Sequence, residues 1–491
     1  MRLKATLVLA IACLILSPAF AANQKPVDLT MAYLTFSPDP KDLSVVQGEL
    51  NNLLEKKIGA TVKLMPLNIG AWTQQISLML ASGEKLDLMI DGTTFIFNMT
   101  GQVAKNQILP LDDLVAKYGQ GIVKSMDPAF LNTGKIGGKL FIIPTVRDFG
   151  GYHGIVMRKD IVDELKIDIS KIKNLDDVEK TLVLVKEKKP DLVPLVAMNG
   201  NESIMNQLYA WDQLGDNLGV LENYGDSLNV VNVFETKGYA SLAKRINRWY
   251  KNGLILKDAA TNKDAAATFI KARRAFAYIA GGKPGFDQQE SAKMGTPMVY
   301  AQIDIPYTTT DSVIHFGWAI PRNSTNPEKA MQLLNLLYSD PEVYNLLVYG
   351  IEGKHYVKIG DNLIDYPKGI DVTNSAYNMS GIGWEMGNQL QGYVFKGNPP
   401  DIWKQITAMN ASTKKSKALG FIFDGTVVAD QIAACTNVIN RYRMGIECGV
   451  FTDVDGMIAE FNQKLKQAGV EKVISAKKQQ LEKWAKESGA K

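Results

Sequence analysis

Histidine and cysteine are scarce in this chain, with three of each among 491 residues. His153, His315 and His355 stand far apart, which leaves little material for a histidine metal cluster or a Ser-His-Asp arrangement. The motifs H-E-x-x-H, the phosphate-cradling P-loop and G-x-S-x-G are all missing. Carboxylates are plentiful, and a glycoside-cleaving pair would form only in three dimensions. The one local pair, Asp87 and Asp91, starts and ends a single short strand, at a spacing of four. These absences point away from an enzyme, and neither a cofactor nor a metal is expected.

Neither sign of charge dominates. The formal charge is +4, and it falls to +2 without Arg2 and Lys4. Such a balance carries no footprint for nucleic acid. The Lys-rich stretch 464–491 is interspersed with Glu471, Glu482 and Glu487 and reads as a solvated helix face.

No apolar run reaches the roughly 20 residues of a membrane span. A shorter one, residues 5–16, follows Arg2 and Lys4 and precedes Ala19-Phe20-Ala21. That order is the pattern of a secretory signal peptide, residues 1–21, cut after Ala21 or Ala22. Lipid anchoring at Cys13 is the alternative, but its cut would split an apolar run that continues through Leu14, Ile15 and Leu16. The exported, periplasmic chain keeps Cys435 and Cys448. A single helix through both would hold them roughly 20 Å apart, too far for a disulfide. A bridge requires the helix to stop near Gly445.

The exported chain is too long for one core and points to two lobes. Strand-like runs at 27–34, 60–67 and 86–90 alternate with helix-like runs at 43–57 and 72–80, the pattern of a mainly parallel sheet flanked by helices. Loops at the carboxyl ends of such strands line the ligand crevice; Thr35, Phe36, Asp91, Gly92 and Thr93 fall there. Gly137-Gly138 make a turn, 140–143 and 152–157 read as strands, and Asp160 is placed to cap the next helix. The first lobe then takes 22–144 and 306–368. The second takes 145–305 and 369–491, the latter with a helical extension. Asn326 and Pro327 open a helix with an apolar stripe of Ala330, Leu333, Leu334 and Leu337. The tail 453–487 is helical, with Ile458, Phe461 and Leu465 on one face and a break at Gly469.

Several stretches together resemble the family 1 extracellular solute-binding proteins of carbohydrate ABC importers, in the subgroup with an added C-terminal domain of unknown function. They are Leu80-Ala81-Ser82-Gly83, Ile136-Gly137-Gly138-Lys139-Leu140, Met157-Arg158-Lys159-Asp160, Phe316-Gly317-Trp318-Ala319-Ile320-Pro321 and Asn326-Pro327-Glu328-Lys329-Ala330. Tyr349-Gly350-Ile351-Glu352-Gly353-Lys354-His355-Tyr356, Trp384 with Gly387-Asn388, and the tail around Leu465 to Gly469 and Trp484 follow in order. The resemblance implies a two-lobed α/β receptor, monomeric, that closes on a carbohydrate and delivers it to the transmembrane subunits of an ABC permease. A receptor for peptides or another solute is the alternative.

A sugar site needs flat aromatic faces against the C–H faces of the ring and planar polar groups for its hydroxyls. The candidates are Phe36, Trp72, Asp91, Arg147, Tyr152, Trp211, Trp384 and Asn388, with Asn201 and Glu202 weaker. Trp72 opens a helix behind the loop Asn68-Ile69-Gly70, and Trp384 sits between glycines. Trp249, Trp318, Trp403 and Trp484 lie on apolar faces and read as core. Residues 144–151 and 303–307 are the expected hinges.

Overall fold

The computed structural model describes residues 25–93 and 96–490. The leader at 1–21, with Cys13, lies outside the described residues. No helix among them is long and apolar enough to cross a membrane.

The first strand, Val27–Thr35, is the spine of a sheet ordered Ala60–Asn68, Val27–Thr35, Leu88–Asp91, Gly317–Ala319 and Ile143–Pro144. Its first three strands are parallel, joined by the helices Leu43–Ile58 and Ile69–Ser82 as crossovers. The other two strands run antiparallel to their neighbours. A second sheet is ordered Met298–Gln302, Tyr152–Arg158, Ala275–Gly282 and Val193–Val196, and only its last pair is parallel. The expected α/β architecture stands, while both sheets are mixed where mainly parallel strands were expected. The antiparallel pairs involve the strands beside the crossings, where the chain leaves one sheet or returns to it without a helical crossover.

Two large apolar clusters form separately. One gathers buried residues from 29–149 and 313–386, the other from 155–303 and 428–473. Tyr377, Met379 and Met386 belong to the first, so the stretch after 369 packs on the first lobe and not, as expected, on the second. The chain recrosses later, at the strand Lys414–Lys415, which pairs in parallel with Tyr307–Thr308. Tyr307 also bridges Gly151, so the crossing segments lie side by side. Gly150 is required there, because a Cβ would sit 2.2 Å from Thr413 Cγ2.

Local chemistry explains most element ends. Asn68 caps the helix Ile69–Ser82 by accepting the Gly70 N–H at 2.9 Å, and Trp72, Ile76 and Met79 then share its buried face. Asp160 is not the cap expected of it; it sits in the first turn of Lys159–Glu164 and pairs with Arg158 at 2.6 Å. Gly469, at φ 94°, separates the helices Val454–Ala468 and Val470–Ser488, as its place in the sequence suggests.

The helix Ala429–Glu447 runs unbroken past Cys435, with Cys448 at its end. Both thiols are free and buried, and burial pushes each up to about 11. A maleimide added without reductant is therefore expected to label neither Cys435 nor Cys448 in the folded protein and both after unfolding. Labelling of neither after unfolding would show them bridged.

Candidate ligand-binding cleft

Two adjoining cavities open between the lobes and share Asp212 and Asp311 in their walls. The inner one, about 370 Å³, is walled by Arg147, Tyr152 and His153 of the first crossing, by Tyr209 and Trp211 of the second lobe, and by Ser312 and His315. The outer one, about 320 Å³, lies between Thr93 and Phe97 of the first lobe and Asp216, Phe421 and Phe423. The loop after Leu88–Asp91 reaches this position because Gly92 packs on backbone: a Cβ would stand 2.4 Å from the His315 carbonyl oxygen.

The apolar face of the inner cavity is a stack. Tyr209 and Trp211 lie with ring centroids 4.3 Å apart and planes 24° from parallel. The Trp211 indole N–H donates to Asn217 Oδ1 at 2.9 Å, and the Tyr209 hydroxyl donates to Glu447 Oε2 at 2.7 Å. Beside the stack, Asp212 accepts the Leu214 N–H through Oδ1 at 3.0 Å, and the Ser416 side chain bonds the same carboxyl. Burial raises the Asp212 carboxyl above its usual range.

Asp311 is in a different electrostatic setting. Burial pushes its carboxyl up, but the His315 ring at 3.6 Å and the Thr93 hydroxyl at 2.6 Å hold it below the usual value. Arg147 donates from Nη1 to the Asp148 carbonyl at 3.1 Å and from Nη2 to the Ser312 carbonyl at 3.2 Å; its buried Nε has no protein partner. Burial lifts the Tyr152 phenol to about 12. His153 and Tyr224 both meet the Asp304 carboxylate, the latter at 2.6 Å, and the Tyr307 hydroxyl lies 3.1 Å from His153 Nε2. The two hinge segments are thus tied through side chains as well as backbone.

Along the first lobe, aromatic rings continue from the outer cavity. Phe97 meets Phe316 edge to face at 5.8 Å, Phe316 meets Trp384 at 4.4 Å, and Trp384 meets Phe36 at 6.3 Å. Phe36 is 52% exposed and borders a third cavity, of about 290 Å³.

Of the candidate residues, Arg147, Tyr152 and Trp211 come together in the inner cavity. Phe36 and Trp384 meet on the aromatic row beside it. Trp72 is in the core, 2% exposed, because the helix cap turns its face inward; it touches the row only through Phe97 at 5.9 Å. Asp91 is fully buried beneath the cleft floor, with Oδ1 on the Gly92 N–H at 2.8 Å. Asn388 is occupied by its own loop, accepting the Leu390 N–H at 3.0 Å and donating to the Tyr338 carbonyl at 3.2 Å. Glu202 likewise holds its loop, accepting from Asn199, Asn206 and Gln207; Asn201 is a turn residue with φ 57°. Trp249 and Trp318 are fully buried, as read. Sequence reasoning missed Tyr209, Asp311 and His315 as cavity residues, and Phe421 and Phe423 altogether. Only Tyr209 carried a local signal, its place two residues before Trp211.

The profile of the family described as bacterial extracellular solute-binding protein matches residues 38–344, and that of a domain of unknown function (DUF3502) matches 417–486. A carbohydrate ABC transporter substrate-binding protein of Streptococcus pneumoniae serotype 4 is 27% identical over 95% of this chain and 92% of its own length. The crystal structure of the N-glycan transport solute binding protein (NgtS) from Streptococcus pneumoniae superposes with a TM-score of 0.82 at 26% identity, covering 94% of this chain and 99% of that one. For the same protein in complex with Man5GlcNAc the coverage is unchanged and the TM-score is 0.67.

Asp91 gives a test of the cleft floor. Burial raises its carboxyl from 3.8 to about 7 in the folded chain. The folded state therefore binds the proton more tightly than the unfolded state. The stability that this contributes is complete below about pH 4 and is lost as pH rises through about 7, about 4 kcal/mol in all at roughly 1.4 kcal/mol per unit. Asp91→Asn keeps the acceptor for Gly92 without the charge. Urea unfolding from pH 4 to 8 is expected to show a flatter stability profile for the variant; an unchanged slope would contradict the assignment.

Proposed function

Because the chain belongs to the bacterial extracellular solute-binding proteins, we propose that it is the capture subunit of an ABC importer that takes an oligosaccharide into the cleft between its lobes. The observation that carries this reading is the Tyr209–Trp211 stack in one cavity with the Asp212 carboxyl and the Arg147 guanidinium. A pyranose presents apolar C–H faces and a ring of hydroxyls. A flat aromatic surface flanked by a carboxyl and a guanidinium answers both.

The mechanism is closure. The ligand docks first on one lobe, and contacts to the other lobe then favour the closed arrangement by their differential affinity. The bodies that close are built around the cores of 29–149 with 313–386, and of 155–303 with 428–473. The glycan complex of NgtS supports an oligosaccharide as ligand class. The closed monomer presents its loops to the permease transmembrane subunits, which open it and take the sugar. Export through the leader at 1–21 delivers the receptor to the periplasm, and no step of this cycle requires catalysis.

Calorimetric titration of the exported chain with Man5GlcNAc, mono- and disaccharides, amino acids and short peptides tests the proposal. An oligosaccharide is expected to bind, and Trp211→Ala to weaken it at least tenfold, about 1.4 kcal/mol. A ligand at 100 times its Kd adds about 2.7 kcal/mol of stability, visible in a parallel thermal melt. Binding of peptides alone would overturn the sugar reading and keep the receptor.

A further inference from the structure

The stretch 417–486 corresponds to a domain whose function is unknown. Two of its charged side chains are completely buried, and each reaches across to a wall of the cleft.

Glu447, the last residue of Ala429–Glu447, is one. Its carboxylate accepts the hydroxyls of Ser203 at 2.5 Å and Tyr209 at 2.7 Å through Oε2, and of Tyr239 at 3.3 Å through Oε1. A buried carboxylate is tolerated only when so satisfied. Its removal would free the tyrosine on which Trp211 is stacked.

Lys477, on Val470–Ser488, is the other. Its ammonium pairs with Asp216, donates to the Gly219 carbonyl at 3.1 Å and lies 4.9 Å from the centre of the Phe423 ring. Asp216 in turn accepts the Leu218 N–H at 2.8 Å, which fixes the turn carrying Asn217. Asn217 holds the indole N–H of Trp211. The platform is therefore gripped from both sides: its Tyr209 face through Glu447 and its Trp211 edge through the turn that Lys477 pins. Phe421, Phe423 and Ile432 of the same stretch also wall the outer cavity.

We propose that the C-terminal domain is a positioning element of the ligand cleft, with Glu447 and Lys477 holding the Tyr209–Trp211 platform in register. This rests on the reading of the cleft as the ligand site. Neither residue lines the cavities, so both act through their neighbours.

The test begins without ligand, on the full exported chain labelled with 5-fluorotryptophan. Its ¹⁹F spectrum identifies the Trp211 resonance by its loss in Trp211→Phe. Tyr209→Phe, which removes one hydroxyl, and Glu447→Gln and Lys477→Met are each expected to shift or broaden that resonance. The resonances of Trp318 and Trp403, on the first lobe, should stay in place. An unmoved Trp211 signal in Tyr209→Phe and Glu447→Gln overturns the proposal, as does an equal change at Trp318 and Trp403, which would mark general loosening. Titration with Man5GlcNAc adds the functional arm. Tyr209→Phe should weaken binding about tenfold in the parent and not at all in Trp211→Ala, whereas equal weakening in both contradicts positioning. If the parent binds no glycan, the sugar reading fails and the ¹⁹F result still decides the proposal.

Discussion

Everything in this molecule depends on how the crossing segments are bonded where the chain passes between its two cores. Gly151 and Tyr307 exchange backbone hydrogen bonds at 3.2 and 2.9 Å, and the Lys414 N–H reaches the Pro306 carbonyl at 2.9 Å. With the Ser416 N–H on the Thr308 carbonyl and the Lys417 N–H on the Gly225 carbonyl, both at 2.9 Å, these short ladders tie the segments that run between two large clusters of buried residues. The clusters are rigid by packing, while the strip joining them has few bonds to break. A structure so divided deforms at the strip. The side-chain cluster of His153, Asp304, Tyr224 and Tyr307 lies on the same strip, and His153 and Tyr307 also wall the inner cavity.

The cleft above that strip combines two kinds of group that a folded protein normally keeps apart. Aromatic rings from both lobes leave apolar surface facing a cavity, and the charged side chains Arg147, Asp212 and Asp311 stand in the same walls. One ligand with an apolar face and peripheral hydroxyls meets both. The buried Glu447 and Lys477 contrast with these groups, being satisfied within the protein, and their bonds end on the residues that face the cavity.

How much of this could be read from the sequence depends on the range of the interaction. The strand and helix alternation over 27–91, the proline-led helix at Pro327–Ser339 and the break at Gly469 are local, and local residue chemistry decides them. Arg147 and Tyr152 beside the first crossing, and Trp211, were singled out locally, and all three line a cavity. Trp72 was misread because the Asn68 cap sets the phase of its helix, and one position of phase turns a cleft residue into a core residue. Asn388 was misread because its side chain bonds its own loop, a use that composition does not distinguish from ligand binding. Asp311 pairs with Thr93 across 218 positions, and Glu447 meets Tyr209 across 238. No window of sequence contains either pair. The third crossing, expected between 368 and 369, falls at Lys414–Lys415, where two residues of strand leave no periodicity to detect.

The central claim is that ligand draws the lobes together about the crossing strip. Small-angle X-ray scattering of the exported chain, free and saturated with a glycan whose binding is verified by calorimetry, measures this directly. The account requires the radius of gyration to fall on saturation and to recover when the glycan is dialysed away. Saturating binding with an unchanged radius of gyration would contradict closure and leave a rigid receptor in its place.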